Sequence, residues 1–474
     1  MALIIAGDRS GVGKTTITLA LLSFLVSQKH RVQSFKVGPD YIDPMFHTAI
    51  TGRPCRNLDP ILTSESYVQA CFTQHCQGVD YALVEGVMGL FDGIPFTKSE
   101  VRSQKSEVRE KWEIESFYYG STAHIARLLD IPVVLVIDCS RLSGSVAAIA
   151  HGYRSLDPKL KIVGVILNRV GSDRHLSLLQ QSLESLNIPI LGTLRRQDSL
   201  TIPDRHLGLV PTAELPHLQP LFKQLSHLAQ KNFNWDLLLP LLTSSPPHPL
   251  TPSPPHPPTA IRLALASDRA FNFYYQDNLD HLETLGIQLI PWSPLRDATL
   301  PPDIHGLYFG GGFPEMFAEE LSSNLNAVKS VKTAIAAGIP TYAECGGLMY
   351  LCDQLIDFQG QTWPMVGILP TTAMMGSQLT LGYRQATALE NTPLLNKGTT
   401  LWGHEFHRSS LSNPPLKPLF SLTSWHYSPF IQTEGWVNFQ VHASYIHLHF
   451  AGCPSVAKKF FSHCLDFFKQ SKLS

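Results

Sequence analysis

The sequence predicts two α/β domains, the first a doubly wound, mostly parallel sheet, separated by a proline-rich spacer. Three observations predict this. Short β-branched runs alternate with longer segments of helical period, a glycine-rich phosphate-binding loop follows the first run, and half of residues 244–259 are proline. At 474 residues the chain exceeds one ordinary hydrophobic core and suits two.

In the first domain the runs at 2–6, 32–37, 81–84, 133–137 and 162–167 have the βαβ rhythm of a sheet covered by helices on both faces. One segment breaks that rhythm: Ser99-Glu100-Val101-Arg102 recurs as Ser106-Glu107-Val108-Arg109. Such polar repeats bury little, so residues 96–116 read as a surface insertion, with a docking element as the other reading. The proline stretch lacks the backbone donors of a helix or central strand and acts as an extended spacer. The domains are therefore 1–243 and 261–474, joined by a linker at 244–260. Strand-like runs resume at 261–266, 288–291, 306–309 and 339–343, making the second domain α/β as well.

Lys plus Arg number 37 against 38 for Asp plus Glu, so no global field favours nucleic acid or an anionic membrane. The eight cysteines contain no Cys-x-x-Cys pair, which argues against a disulfide framework or a zinc knuckle and for a reducing compartment. The N-terminus enters the glycine loop without a basic n-region, and the longest apolar runs fall far short of the ~20 residues that span a bilayer. A cytoplasmic protein is expected, and a homodimer is compatible with the chain.

The loop Gly7-Asp8-Arg9-Ser10-Gly11-Val12-Gly13-Lys14-Thr15-Thr16 stands between a strand and a helix beginning near Lys14. There, backbone N–H groups surround a phosphate: Gly11 and Gly13 permit close approach, Lys14 reaches the β and γ phosphates, and Thr15 offers its hydroxyl to Mg²⁺. Gly7 lies one position further from Lys14 than the strict spacing, which marks a variant of the loop. Two further segments, Lys36 to Pro44 and Glu85 to Gly93, place Asp40, Asp43, Glu85 and Asp92 at strand ends, where ligands of doubly wound sheets collect. Glu85 and Asp40 are read as metal or substrate ligands. A turn role is the alternative reading for Asp40 and Asp92, since Pro-Asp and Asp-Gly are common turn chemistry.

In the second domain Cys345 sits between the apolar run at 339–343 and Gly346-Gly347, a strand-turn-helix placement that exposes a nucleophile at a helix N-terminus, where a thiolate is favoured. Ala343 stands where the strict elbow pattern has glycine. Ser444 to Phe450 places His447 and His449 on one face of an expected strand, offering a base, while Gly310-Gly311-Gly312 suits N–H donation to an oxyanion. A buried core thiol and a core histidine are the alternative reading. Gly403-His404-Glu405-Phe406-His407-Arg408 fails as a zinc-protease motif because Arg408 stands where the second histidine is needed. That cluster is left as a binder of an acidic substrate edge or as structure, and the aromatic cluster 271–275 as core or as cover for a flat ligand.

In the order of these motifs, together with Arg205-His206-Leu207-Gly208-Leu209, the chain resembles the cobyrinic acid a,c-diamide synthase family over nearly its whole length. The resemblance implies a dethiobiotin-synthetase-like ATP-binding domain followed by a class I glutamine amidotransferase domain. It implies that Cys345 attacks the amide of L-glutamine and that His447 activates it. Gly311, Gly312 and Gly346 would serve the oxyanion. Gly11, Gly13, Lys14, Thr15 and Thr16 would hold ATP, while Thr15, Asp40 and Glu85 hold Mg²⁺ and Asp40, Tyr41 and Asp92 meet cobyrinic acid. Its a and c carboxylates would be converted in turn to acyl phosphates that ammonia attacks. Class I glutaminases orient the histidine with a glutamate two residues on, whereas His449 stands there in this chain, leaving the orienting group open. The same chemistry on hydrogenobyrinic acid or a nickel sirohydrochlorin is the nearest alternative, and a partitioning-type ATPase switch an alternative of another class.

Overall fold

The computed structural model describes residues 2–94, 118–196, 202–205, 208–242, 261–424 and 432–472. The insertion at 96–116, the linker at 244–260, and His206 and Leu207 lie outside the described residues. The chain divides into two compact units, one of residues 1–60 and 64–251, the other of residues 61–63 and 252–474.

The N-terminal unit holds seven parallel strands: β1 (Ala2–Gly7), β2 (Val32–Val37), β3 (Arg56–Leu58), β4 (Tyr81–Glu85), β5 (Val133–Asp138), β6 (Ile162–Val170) and β7 (Ile190–Arg195). Their order is β3-β2-β4-β1-β5-β6-β7. Burial on both faces explains why β1 and β5 read as unbroken apolar runs rather than alternating ones. Helices α1 (Lys14–Ser27), α2 (Ile42–Thr51), α3 (Glu65–His75), α4 (Thr122–Leu129), α5 (Ser145–Leu156) and α6 (Asp173–Glu184) occupy the crossovers. Then come a ribbon of β8 (Asp204–Arg205) and β9 (Gly208–Leu209), followed by α7 (Leu218–Asn232) and α8 (Trp235–Leu242). Because β1 lies beside β4, with Ile5 opposite Glu85, and β2 lies beside β4, with Lys36 opposite Glu85, the loops after three strands open at one place. That is where a doubly wound sheet binds ligands.

The C-terminal unit begins with β10 (Ile261–Ala266), α9 (Gln276–Thr284), β11 (Ile287–Trp292), β12 (Gly306–Phe309), α10 (Ala318–Ser323), α11 (Leu325–Ala336), β13 (Thr341–Glu344) and α12 (Gly346–Leu351). It continues through β14 (Cys352–Ile356), β15 (Thr362–Pro364), β16 (Leu369–Ala388), β17 (Thr400–Leu411), β18 (Pro418–Ser424), β19 (Gln432–Asn438), β20 (Val441–Ser444), β21 (His447–Leu448) and α13 (Ser455–Ser471). Its parallel portion, β11-β10-β12-β13-β20, passes into antiparallel β19, β18 and β16, and the hairpin of β16 and β17 brings β17 beside β21. The strand expected across Ser444 to Phe450 is instead broken: β20 ends at Ser444 and β21 covers two residues, so His447 and His449 do not share the face of one strand. Among the described residues no helix is long and apolar enough to cross a membrane.

Candidate active sites

In the N-terminal unit the glycine loop turns on two positive φ values, +75° at Gly11 and +97° at Gly13, which side chains seldom adopt. Gly13 is also crowded: a Cβ there would lie 2.4 Å from Asn168 Nδ2. Asn168 in turn donates 2.7 Å to Val12 O, pinning the loop to the end of β6. Lys14 Nζ donates to Arg9 O at 3.3 Å and to Met88 O. Burial, then the charge of Lys36, pushes Lys14 down to about 8, against the pull of Glu85, Asp43 and Asp8. Thr16 is the third residue of α1, in its first turn.

Thr15 Oγ1 donates to Glu85 Oε1 at 2.7 Å and approaches Asp43 Oδ2 at 3.3 Å. Between these acids stands Lys36, buried, with Nζ 2.6 Å from Asp43, 2.8 Å from Glu85 and 3.7 Å from Asp40. Its ammonium stays charged because the three acids outweigh the burial that opposes it. Glu85, fully buried, is likewise kept ionised against burial by Lys36 and by His47, whose Nε2 lies 2.8 Å from Oε2. His47 also touches Cys55 Sγ at 3.4 Å, and these partners raise it to about 10 despite burial. The hydroxyl and carboxylate oxygens of Thr15, Glu85, Asp43 and Asp40 form the hard, oxygen-only donor set that suits Mg²⁺. Asp40 stands one step out: its Oδ1 caps α2 by accepting from Ile42 N at 2.9 Å and Asp43 N at 3.2 Å. Tyr41 is buried beside it. Asp92 accepts from Gly89 N at 2.8 Å within its own loop, the turn role that Asp-Gly chemistry allows.

Sequence reasoning passed over Lys36 and His47. Lys36 opens the segment that runs to Pro44, but its partner Glu85 is 49 residues away, and no local signal distinguishes an inward lysine from a solvated one. The internal position of Lys36 in a strand buried along its whole length was the available clue.

In the C-terminal unit Cys345 leaves β13 with φ +46° and ψ −98°, a strained conformation for a residue bearing a Cβ. Glycines make the turn possible: a Cβ at Gly347 would lie 2.5 Å from Phe309 O, and one at Gly346 would lie 3.0 Å from Gly312 N. The buried Ala343 shows that the strand before the turn accepts a methyl group. Gly312, at φ +153°, is held so tightly that an added Cβ would reach 2.1 Å from Ala270 O. Gly310 N donates to Tyr274 Oη at 2.8 Å and is thereby occupied. The aromatic segment 271–275 is thus core, with Phe271, Phe273 and Tyr275 buried and Tyr274 anchoring the glycine loop.

The thiol does not behave as a helix terminus would suggest. Burial raises Cys345 first, Glu315, Glu344 and Glu405 add to it, and the Gly346 N–H opposes them without prevailing. Helix α12 is only six residues long, too short to reverse that balance. A thiolate at Cys345 would therefore need a base. His447 is buried, and a Cβ at Gly311 would lie 2.7 Å from its Cε1, which puts the ring against the glycine loop. Its Nδ1 lies 3.7 Å from Glu344 Oε2. His449 Nε2 instead lies 3.5 Å from Asp277 Oδ2.

The His404 to Arg408 cluster lies on strand β17, so successive side chains face opposite ways and no zinc-binding helix exists. Glu405 pairs with Arg384 Nε at 2.7 Å, and His407 stacks on Tyr445 with ring centroids 3.9 Å apart. His404, opposite His447 in the β17–β21 register, is pushed down to about 3, first by burial and then by neighbours that include the Arg384 guanidinium, and so is neutral.

Two family models match separate stretches of the chain. Residues 3–210 match a family model described as the CobQ/CobB/MinD/ParA nucleotide binding domain. Residues 262–454 match one described as the CobB/CobQ-like glutamine amidotransferase domain. The chain is 56% identical over 472 residues, 98% of each chain, to a cobyrinate a,c-diamide synthase of Synechococcus sp.. It is 55% identical to one of Synechocystis sp., covering 100% of this chain and 95% of that protein. A hydrogenobyrinate a,c-diamide synthase of Streptomyces coelicolor is 39% identical, over 98% of this chain and 97% of that one.

Proposed function

Because the chain belongs to the cobyrinate a,c-diamide synthase family, we propose a division of labour between its two units. The enzyme amidates the a and c carboxylates of cobyrinate with nitrogen from glutamine, in cobalamin biosynthesis. We assign ATP use to residues 1–243, ammonia production to residues 261–474 and the spacer role to 244–260.

In the C-terminal unit His447 takes the Cys345 proton as sulfur bonds to the amide carbon of glutamine. The backbone N–H groups of Gly311, Gly312 and Gly346 would receive the oxyanion. The C–N bond breaks, the proton returns to the departing nitrogen as ammonia, and water then cleaves the thioester to glutamate. Support comes from the strained turn at Cys345, the histidine ring against the Gly311 loop and the sterically fixed Gly312. Since burial keeps the resting thiol protonated, hydrolysis depends on His447 rather than on a standing thiolate.

In the N-terminal unit Gly11, Gly13, Lys14 and Thr16 hold the phosphates of ATP, and Thr15, Glu85 and Asp40, with Asp43 beside them, would hold Mg²⁺. Bound there, Mg²⁺ would supply charge neutralisation at the γ-phosphate. Lys14 and Lys36 bring fixed positive charge to the same place, and Asp40, Tyr41 and Asp92 line the loops where the corrinoid carboxylate is presented. The carboxylate oxygen attacks the γ-phosphorus and ADP leaves. Ammonia then displaces phosphate from the acyl phosphate, because a bare carboxylate is too poor an electrophile for direct amidation.

The single observation that carries this reading is the presence in one chain of a glycine loop whose Thr15 meets Glu85 and of a strained turn at Cys345 on a strand beside the one that leads to His447. A partitioning-type switch leaves the second without a task. Cobyrinate is favoured over hydrogenobyrinate by identities of 56% against 39%. The test is mass spectrometry of each acid incubated with the protein, MgATP and glutamine, beside Cys345→Ala. Two amidations of cobyrinate are expected, lost in the variant and restored by ammonium salts. Glutamine hydrolysis without amidation would refute the substrate assignment.

A further inference from the structure

We propose that Glu344 is the positioning acid of the Cys345–His447 pair, an inference that rests on the glutaminase reading above. The position two residues beyond His447 holds His449, which has no carboxylate and whose Nε2 faces Asp277 Oδ2 at 3.5 Å with its ring against Tyr275. The acid near His447 comes from the other strand, immediately before the nucleophile.

Glu344 ends β13, which runs parallel to β20 with Glu344 opposite Ser444, so the strand leading into Cys345 lies beside the one leading into His447. Its carboxylate is buried and fully engaged. Oε1 accepts the Leu448 N–H at 3.0 Å and the Tyr342 hydroxyl, and Oε2 accepts the Tyr308 hydroxyl at 3.2 Å. The two tyrosine rings stack at 4.7 Å and are fully buried, which leaves the carboxylate one orientation. Oε2 then stands 3.7 Å from His447 Nδ1, within about 1 Å of hydrogen-bond contact. One side chain therefore fixes both the backbone next to His447, through Leu448 N–H, and the imidazole itself.

The consequence is a defined tautomer. A carboxylate beside Nδ1 favours the proton on that nitrogen, leaving Nε2 as the base, and it stabilises the imidazolium formed when the thiol proton is taken. Of the other charged groups near the pair, Glu315 and Glu405 act on Cys345, Arg384 is committed to Glu405, and His404 is neutral. Glu344 thus does for His447 what an acid two residues downstream does elsewhere, from a different point in the chain.

The experiment compares full-length wild type, Glu344→Gln, His447→Asn and Cys345→Ala. It measures kcat and KM for glutamine hydrolysis, ammonia-dependent amidation, and ¹⁵N spectra of the histidine rings, with His447 assigned by its loss in His447→Asn. Glu344→Gln should lower kcat roughly 10- to 100-fold, as loss of a partner behind a reacting group does. The KM for glutamine and ammonia-dependent amidation should stay near wild type. His447 should change from one Nδ1–H tautomer to a mixture.

A kcat within twofold of wild type, or a fall with an unchanged His447 spectrum, overturns the proposal. If Glu344→Gln does not fold, the wild-type spectrum still decides, since an Nε2–H tautomer at His447 overturns it alone. His447→Asn hydrolysing glutamine at the wild-type rate would instead remove the base assignment, and this proposal with it.

Discussion

Replacing Lys36 with methionine tests the electrostatic account of the ATP site. The ammonium is buried at 2.6 Å from Asp43 and 2.8 Å from Glu85, with Asp40 at 3.7 Å. Methionine fills nearly the same volume, so the main change is the loss of one charge among three acids. Removing one partner of a buried ion pair costs about 3–5 kcal/mol because the remaining charge is left uncompensated. At roughly 2–4 °C per kcal/mol for a domain of this size, the N-terminal unit should unfold roughly 6–20 °C lower. Differential scanning calorimetry without and with magnesium reads both parts of the argument. The variant should unfold early, and magnesium should raise its Tm more than that of wild type, since a cation bound only by the folded state stabilises it. A Tm within about 2 °C of wild type without magnesium would refute the claim that Lys36 compensates these acids.

Two further outcomes follow from the phosphate loop. Lys14 is pushed down to about 8, so its ammonium form is lost as pH rises through that value, and on the proposal that this ammonium binds ATP, KM for ATP should rise about tenfold per pH unit above it. The linkage to stability has the opposite sign: between about 8 and the ordinary lysine value of 10.5 the folded chain binds fewer protons than the unfolded one, so this group adds stability as pH rises. Lys14→Arg, permanently charged, should abolish the rise in KM, and a rise that persists would show another group responsible. Gly13→Ala combines positive-φ strain, about 1–2 kcal/mol, with displacement of Asn168 and loss of its hydrogen bond, about 1 kcal/mol, so ATP binding measured by calorimetry should weaken roughly 30- to 150-fold. At Gly11 no atom lies within 4 Å of the added Cβ, so Gly11→Ala should lose less; equal losses would refute the steric part.

The glycine loop was legible because its requirements are local: a strand, two glycines at positive φ, a lysine and a threonine all lie within a few residues. The elbow at Cys345 was legible for the same reason, since Gly346 and Gly347 mark a turn that tolerates no Cβ. The buried parallel strands also declared themselves, because burial on both faces demands unbroken apolar runs. The antiparallel part was harder to see. Strand β16 alternates and carries many polar residues, and Arg56–Leu58 is too short for any period to emerge.

By itself, then, the sequence determined that two α/β units form and which residues are the candidates for phosphate binding and for the nucleophile. Tertiary structure decided which acids those residues meet. Glu85 reaches Thr15 across 70 residues because β1 and β4 are neighbours, and Glu344 reaches the segment of His447 across about a hundred because β13 and β20 are neighbours. A carboxylate's role depends on the charge and burial around it, and those are set by strand order, which no local run of residues encodes.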